Sequence, residues 1–242
     1  MTRTDGRKPD EKRPVTITTG YLPWAEGSAM IDMGGTQVLC AVTIENRLPA
    51  FLRGTGSGWV TAEYGMLPRS TMERTDREAA RGRQSGRTQE IQRLVGRSLR
   101  AVTNLDILGD RTFTIDCDVL KADGGTRTAS ITGAYVALHQ AMQTLVDAGT
   151  YAAIPMSTAV AATSAGIVEG VALLDLCYEE DAAAGVDFNF VMTGDGRFVE
   201  VQGTAEDQPF SREEMEELFG LADKGIKELL EAQQQALGGP QP

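Results

Sequence analysis

Residues 121–130, with the sequence KADGGTRTAS, combine groups that can hold an oxyanion. Gly124 and Gly125 have no Cβ, so the backbone can turn sharply there and bring its N–H groups close to a ligand. Arg127 adds a planar set of charged donors that matches phosphate geometry, and further hydroxyls come from Thr126, Thr128 and Ser130. Two glycines between a strand and a helix often form only a turn, so the sequence leaves both an anion site and a plain turn open.

A second set of candidate residues is the arginine-rich segment from Arg69 to Arg100. It holds nine arginines, no lysine and four acids, which gives a local charge of +5. Arginine without lysine indicates recognition of phosphate, or of carboxylate through paired hydrogen bonds. An RNA path and an arginine-rich subunit interface both stay open. Within the segment, Arg87 directly precedes a predicted helix, whose N-terminus would form a second anion site.

Carboxylates supply a candidate metal site. Glu179-Glu180-Asp181 follows an apolar predicted strand, and five residues separate Asp181 from Asp187, which begins the next strand. A loop of that length could bring two carboxylates together at a strand end, where they could hold Mg²⁺. An acidic surface loop is the simpler interpretation, and spacing alone favours it.

The scarcity of histidine excludes some chemistries. His139 is the only histidine, and it lies within an apolar helical pattern, which is typical of a structural residue. Ribonuclease chemistry with paired histidines is therefore excluded, and a Ser-His-Asp triad is disfavoured. An enzyme of this composition would stabilise phosphate charge with arginines and a metal instead.

The overall composition, with 242 residues of which 41% are hydrophobic and 24% charged, is typical of a globular protein. No apolar run approaches the roughly 20 residues of a membrane span, and the polar N-terminus does not resemble a signal peptide. The net charge of −11 argues against a general nucleic-acid coat protein. Cys40, Cys117 and Cys177 are far apart in predicted strands, which favours buried reduced thiols in a cytoplasmic protein.

The glycine turn is flanked by the two strongest local patterns in the chain. Strict alternation of apolar and polar residues predicts a strand over 112–120. Apolar residues at helical spacing predict a helix over 129–148. Earlier in the chain, Gly34-Gly35 predicts a hairpin, and an apolar stripe predicts a helix from Thr88 onward.

Gly149 and Pro155 mark a predicted boundary, which divides the chain into domains 1–150 and 151–242. Both parts read as strands and hairpins followed by a helix, without an internal repeat in the sequence.

Within the second part, strands are predicted over 157–163 and 171–178, with a turn near Ala165-Gly166. A hairpin is predicted around 193–196. A capping box at 211–214 begins the longest predicted helix, whose apolar stripe is typical of a core face.

Several motifs in this order resemble the bacterial ribonuclease PH family of phosphorolytic exoribonucleases along nearly the whole chain. They are Asp5-Gly6-Arg7, Gly34-Gly35-Thr36, Tyr64-Gly65-Met66-Leu67-Pro68-Arg69-Ser70, Ser85-Gly86-Arg87-Thr88, Ile91-Gln92-Arg93-Leu94, Ala122-Asp123-Gly124-Gly125-Thr126-Arg127-Thr128, and Glu180-Asp181 followed by Asp187. No site residue departs from the family pattern, so the resemblance implies an active member.

The resemblance implies roles for named residues. Inorganic phosphate, the co-substrate, would bind Arg87 and the turn Gly125-Thr126-Arg127. Asp181 and Asp187 would lie beside Mg²⁺ and the scissile bond, so that Arg127, Asp181 and Asp187 form the catalytic set. RNA, or a neighbouring subunit, would contact Arg69, Arg74 and Arg77.

The resemblance also implies a fold and partners. The fold class is mixed, α+β with α/β character. The first half would be like a domain of a small-subunit ribosomal protein, and the second half a smaller αβα layer. The family trims the 3′ end of tRNA or single-stranded RNA, and it assembles as a homohexamer, a trimer of dimers. A small-molecule kinase of related fold and a non-catalytic RNA-binding ring subunit remain as alternatives.

Overall fold

The computed structural model describes residues 3–206 and 209–238. Five strands of the first half form one sheet: β1 Val15–Thr19, β2 Gly27–Met33, β3 Thr36–Glu45, β4 Trp59–Met66 and β5 Thr112–Lys121. Their order is β1-β2-β3-β5-β4, with β4 and β5 parallel and the other pairs antiparallel. The hairpin predicted at Gly34-Gly35 joins β2 to β3, and β5 carries the predicted alternation of buried and exposed residues.

Four strands of the second half form an antiparallel sheet: β6 Val160–Val168, β7 Val171–Leu174, β8 Val186–Thr193 and β9 Phe198–Ala205. Their order is β7-β6-β8-β9. The hairpin predicted around 193–196 joins β8 to β9. β8 therefore lies inside the sheet, with a paired strand on each side.

The helices are α1 Glu78–Arg81, α2 Gly86–Val102, α3 Thr126–Asp147, α4 Tyr178–Ala183 and α5 Arg212–Ala236. α3 lies between the two sheets, because it contacts β2 and β3 of the first sheet and β6 of the second. It is apolar around most of its circumference, as a helix packed on several sides must be. Across residues 3–206 and 209–238, no helix is both long enough and apolar enough to span a membrane.

The capping box predicted at 211–214 begins α5. The Ser211 hydroxyl accepts a hydrogen bond from the Glu214 N–H at 3.1 Å, and the Glu214 carboxylate accepts one from the Ser211 N–H at 2.6 Å. The predicted apolar stripe packs into the core, where Leu218, Ala222 and Leu229 are buried. The sequence Gly238-Gly239-Pro240 predicts the end of this helix, and α5 ends just before it, at Ala236; Gly239 and Pro240 lie outside the described residues.

Three predictions for the second half were wrong. β6 begins at Val160 and continues through Ala165-Gly166, so no turn occurs there. Gly166 lies inside the strand at a position that requires glycine, because a Cβ would meet the Val186 carbonyl oxygen at 2.5 Å. β7 ends at Leu174, and the residues that follow it enter α4. Cys177 is the residue that caps α4 and is not part of a strand, although all three cysteines are buried and free as predicted.

The N-terminal arm, residues 3–14, packs onto the second half of the chain. Arg3 and Arg13 are each only 2% exposed, although both side chains carry a full charge. Their partners are the buried carboxylates of Glu180 and Asp175. Buried charges are tolerated when they are paired and hydrogen-bonded, so these ion pairs fix the arm.

These ion pairs make stability depend on pH. Burial alone would raise the pKa of Asp175, but hydrogen bonds from Arg13 and the charge of Arg13 lower it below the ordinary 3.8. A lowered folded-state pKa contributes stability that is complete above the ordinary pKa and is lost as the pH falls through the folded-state value. We therefore expect the urea concentration at the midpoint of unfolding to fall steeply below about pH 4.

The variant Asp175→Asn tests this origin of acid lability. It should lower stability at pH 7 by about 3 kcal/mol, because it leaves Arg13 buried without its counter-charge. It should also flatten the decline in stability at acidic pH, from about pH 5 to about pH 2, measured by urea unfolding. Glu231→Gln, which removes an exposed carboxylate of α5, is the control. If the stability of Asp175→Asn declined with falling pH as steeply as that of the parent, the Asp175 ion pair would not be the origin of the acid lability.

Candidate active site

A cleft of about 1090 Å³ lies between the first turns of α2 and α3 on one side and α4, β8 and β9 on the other. The structure brings together in this cleft all six residues that the sequence proposed for phosphate, metal or catalysis: Arg87, Gly125, Thr126, Arg127, Asp181 and Asp187. Residues that are distant in the sequence thus line one cleft.

The glycine turn connects β5 to α3 in the geometry of an anion site. Gly124 and Gly125 both have left-handed backbone angles, with φ of +71° and +63°. α3 begins at Thr126, three residues earlier than predicted. Its first backbone hydrogen bond runs from the Ala129 N–H to the Gly125 carbonyl oxygen, so the preceding N–H groups of the first turn remain available to an anion.

The hydroxyls beside this turn form hydrogen bonds with other groups of the protein rather than adding donors to the cleft. Thr128 donates to the Gly125 carbonyl oxygen and Ser130 to the Thr126 carbonyl oxygen, both at 2.8 Å. Both side chains are buried, so the expectation that they add donors to the site was wrong. The Thr126 hydroxyl pairs with that of Tyr64 at 2.9 Å, which leaves the backbone N–H of Thr126 as its group for a ligand.

Arg127 extends from the first turn of α3 and is held by two side chains. Its Nη1 donates to the Gln202 side-chain oxygen at 3.0 Å and to a Glu90 carboxylate oxygen at 3.3 Å. Gln202 also donates to Glu90 at 3.1 Å, which closes the triangle. No sequence pattern indicated these partners, because Gln202 lies on β9 and Glu90 on α2.

Arg87 reaches the same cleft from α2. It lies in the first turn of that helix, not ahead of it, because the helix begins at Gly86. The preceding residue, Ser85, caps the helix by accepting a hydrogen bond from the Thr88 N–H at 3.1 Å. Two helix N-termini, each with an arginine in its first turn, therefore face one cleft, and both favour an anion there.

The acidic side of the cleft differs from the predicted loop. Asp181 lies in α4, a short helix that occupies most of the segment between β7 and β8, and Asp187 lies on β8. Burial raises the pKa of Asp187, and the neighbouring charges of Asp181 and Glu206 raise it further, while Arg127 opposes them. Carboxylates that repel each other in this way are stabilised by a shared cation.

The donors fit a hard divalent cation that keeps most of its water. Asp181 and Asp187 are both oxygen donors that line the cleft. Among residues 3–206 and 209–238, no group of three or more histidines, cysteines or acids is arranged to hold a metal. Mg²⁺ is commonly bound through one or two carboxylates plus waters and substrate phosphate, so two carboxylates suffice.

Sheet positions add cleft residues that the sequence reasoning missed. Asn189 follows Asp187 at a two-residue interval on β8. Thr204 follows Gln202 at the same interval on β9, and Glu206 lies just beyond the end of that strand. Alternate residues of a strand share a face, and in the register of these strands Asp187 pairs with Thr204. The period-2 pattern after Asp187 was the signal that could have revealed this polar face.

The three arginines proposed for RNA are not brought to the cleft. Arg69, Arg74 and Arg77 lie between β4 and α1, all exposed, and Arg74 pairs with Asp76 at 3.0 Å. Their position leaves both earlier interpretations, an RNA path and a subunit interface, as predictions. His139 is half-buried in α3 beside the Tyr135 ring, and burial lowers its pKa.

Family comparisons cover most of the chain. Residues 11–142 match domain 1 of the 3′ exoribonuclease family, and residues 158–225 match domain 2. A curated ribonuclease PH of Moorella thermoacetica is 56% identical over 238 residues, which is 98% of this chain and 95% of that protein.

Solved structures with similar folds have lower sequence identity. Rrp46 of rice (Oryza sativa) has a TM-score of 0.77 at 20% identity, over 97% of this chain and 100% of that one. A chain of the Archaeoglobus fulgidus exosome, solved with RNA bound to its active site, has a TM-score of 0.79 at 22% identity, over 94% and 91% of the two chains. They confirm the mixed α/β fold class.

Two family domains in order and a curated relative with more than half its residues identical confirm the resemblance that the motifs carried. The chain belongs to the 3′ exoribonuclease family and is a phosphorolytic 3′–5′ exoribonuclease of the ribonuclease PH type.

Proposed function

We propose that the cleft binds inorganic phosphate on its arginine side and the 3′-terminal nucleotide of tRNA on its acidic side. The observation that carries this proposal is the placement of Arg87, Arg127, Asp181 and Asp187 around one cleft. Arg87, Arg127 and the N–H groups of Gly125 and Thr126 would hold the phosphate.

Phosphate is already an anionic nucleophile at neutral pH, so the reaction requires no histidine to activate it. A phosphate oxygen attacks the phosphorus of the last internucleotide bond, and the 3′ oxygen of the penultimate nucleotide leaves. The products are a nucleoside diphosphate and an RNA shortened by one nucleotide. Arg127 and Arg87 align the attacking phosphate and offset the repulsion between two anions.

Asp181 and Asp187 would hold Mg²⁺ at the acidic side. When bound there, the cation supplies charge neutralisation at the scissile phosphate. This role is supported by the raised pKa of Asp187, which results first from burial and then from the neighbouring charge of Asp181, and by a set of metal-binding atoms made only of oxygen.

The proposed partners are tRNA 3′ ends and further copies of the chain. We propose a homohexamer built as a trimer of dimers, in which Arg69, Arg74 and Arg77 line the RNA path. An exosome of similar fold was solved with RNA at its active site. The cytoplasm is the proposed compartment, which three free buried cysteines support. The coexistence of Arg127 with both aspartates in one cleft disfavours a non-catalytic ring subunit.

The nucleophile provides a direct test of this function. RNA should be shortened only when inorganic phosphate, or an analogue such as arsenate, is present, because the only histidine, His139, lies outside the cleft and the two aspartates of the cleft are assigned to the metal rather than to activating water. With phosphate, the released nucleotides should be diphosphates. Because a phosphodiester is exchanged for a phosphoanhydride, excess diphosphate should reverse the reaction and extend the RNA without a template.

Chromatography of the products in phosphate-free and phosphate-containing buffer makes this measurement on tRNA with extra 3′ nucleotides. Vigorous release of monophosphates without phosphate would contradict phosphorolysis and would indicate a metal-dependent hydrolase. Asp181 and Asp187 would then be the first residues to test as ligands of its metal.

The exposed arginines allow a separate test. Replacing Arg69, Arg74 and Arg77 together with glutamine should lower RNA affinity, and the salt slope should fall by about one for each RNA phosphate that the protein no longer neutralises. Arg47→Gln, which removes an exposed arginine paired with Glu45, is the control. Binding is measured across a salt series, and sedimentation reports the assembly state.

The two interpretations of these arginines separate in that experiment. An interface role would make the ring dissociate while the assembled fraction binds RNA normally. Both changes together would mean that assembly itself creates the path. Unchanged assembly with unchanged RNA binding would contradict both roles.

A further inference from the structure

The N-terminal arm contacts the element that carries Asp181 through Arg3. The Nε of Arg3 lies 2.7 Å from one Glu180 carboxylate oxygen and its Nη2 lies 2.8 Å from the other. These two side chains are 1% and 2% exposed. The remaining donors of Arg3 reach backbone carbonyl oxygens of Lys8, Glu11 and Asp175. All five N–H donors of the guanidinium are thereby used.

Glu180 transmits this contact to the cleft because it is the residue before Asp181. One of its carboxylate oxygens also accepts a hydrogen bond from the Cys177 N–H at 3.0 Å, which caps α4. α4 has only six residues, and helices that short are unstable without tertiary contacts. Arg3 therefore supports, through Glu180, the geometry from which Asp181 enters the cleft.

Arg13 makes an equivalent contact with the turn Asp123-Gly124-Gly125, which is the phosphate turn of the proposed site. It binds Asp175 through Nε at 2.9 Å and Nη2 at 2.7 Å, and its Nη1 donates to the Asp123 carbonyl oxygen. Thr36 completes the support, since its hydroxyl donates to the Gly124 carbonyl oxygen at 2.6 Å and accepts from the Asp123 N–H at 2.9 Å.

The two supported elements touch each other. The Asp123 carboxylate accepts a hydrogen bond from the Tyr178 N–H at 3.2 Å, where α4 begins. A Cβ at Gly124 would lie 2.6 Å from the Leu176 carbonyl oxygen. The phosphate turn thus rests directly on the backbone that leads into the Asp181 helix, and the arm contacts both through Arg3 and Arg13, which do not line the cleft.

A buried ion pair is weak support for stability, because apolar residues of similar volume often stabilise a protein as well or better. What such a pair adds is a fixed relative position, here between two elements that carry opposite sides of one site. We propose that Arg3 and Arg13 are positioning residues of the reaction, with Arg3 setting the Asp181 carboxylate through Glu180 and Arg13 setting the phosphate turn.

This inference rests on the proposed function, and ligand binding tests it without turnover. Mn²⁺ binding, followed by the paramagnetic signal of the free ion, reports the acidic side. Arg3→Gln should weaken Mn²⁺ binding about tenfold. This is the lower end of the losses found when residues that orient metal ligands are removed. Arg3→Lys keeps the buried charge but lacks the planar fork, so it should fold and show a smaller effect.

Inorganic phosphate binding, measured by calorimetry, reports the other side. Arg13→Lys should weaken phosphate binding several-fold, whereas Arg3→Lys should affect Mn²⁺ more than phosphate. Asp10→Asn is the matched control, because it removes an anchor of the same arm that pairs with Lys224 at the surface. It should leave both affinities unchanged.

Failure of the proposed metal site and failure of the positioning role give different Mn²⁺ binding results. If Asp187→Asn binds Mn²⁺ as the parent does, the proposed metal site is wrong. If Asp187→Asn abolishes binding but folded Arg3 variants keep parental affinity, the positioning role is overturned and the arm is only an anchor.

The parent protein supplies a test that requires no variant to fold. Coupling between two sites is reciprocal, so saturating Mn²⁺ and phosphate should slow hydrogen exchange in the arm as well as in α4. Unchanged exchange in the arm, with slowed exchange at the ligands, would overturn the inference.

Discussion

Arg127→Ala should leave the protein folded and lower the rate of phosphorolysis about a thousandfold, equivalent to roughly 4 kcal/mol of transition-state stabilisation. The side chain is 17% exposed and faces a polar cleft, where its hydrogen-bond partners are Gln202 and Glu90. Its removal therefore creates no cavity in the hydrophobic core. The effect falls on the reaction because Arg127 would hold the phosphate while negative charge accumulates between two anions.

The measurement is the rate of diphosphate release as phosphate is varied, with circular dichroism to confirm folding. Arg127→Lys keeps the charge but not the fork, so it should recover only part of the rate. Arg197→Ala removes an arginine that is 73% exposed and paired with Asp195, and it should match the parent. A folded Arg127→Ala protein with near-parental phosphorolysis would remove Arg127 from the site.

Gly124→Ala should reduce activity at least a hundredfold and also lower stability by several kcal/mol. The added Cβ would lie 2.6 Å from the Leu176 carbonyl oxygen and 2.9 Å from the Tyr178 backbone nitrogen. Both are backbone atoms, which cannot rotate away as the end of a side chain can. The turn and α4 must therefore separate, and a displacement near 1 Å between reacting groups can cost about a hundredfold in rate.

Gly149→Ala is a matched control for the backbone conformation. Gly149 has the same φ of +71° as Gly124, but a Cβ there meets nothing within 4 Å. Alanine in this conformation costs about 1 to 2 kcal/mol whatever its surroundings. Urea unfolding and phosphorolysis should therefore show a small decrease in stability and normal activity for Gly149→Ala. Equal effects of the two substitutions would mean that strain alone, and not the approach to α4, governs Gly124.

The side of the cleft that we propose for phosphate follows from local sequence patterns. The alternation along β5, the two glycines and the apolar stripe of α3 depend on residues within a few positions of one another, and they specified the strand, the turn and the helix. The chemistry of Arg127 at a helix N-terminus follows from the same local pattern. The capping box of α5 was predicted for the same reason, because its hydrogen bonds join residues three positions apart.

The acidic side depends on contacts between distant parts of the chain. The sequence predicted a loop before Asp187, but the segment forms α4, whose cap depends on Glu180 and whose support comes from Arg3 at a separation of 177 residues. A helix of six residues has too little intrinsic stability to be predicted from its own residues. Its existence is a consequence of contacts that form only when the chain folds.

The contacts of the arm and the partners of Arg127 also could not be predicted from local sequence. A polar segment at a chain end predicts an arm that is ordered only by contact with other parts of the protein, but no local pattern identifies those contacts or distinguishes a buried Arg13 from a solvated one. Arg13 is buried because it pairs with Asp175, which is 162 residues away in the sequence. Local conformation follows from neighbouring residues, whereas the burial of a charge requires a partner that only the folded chain brings close.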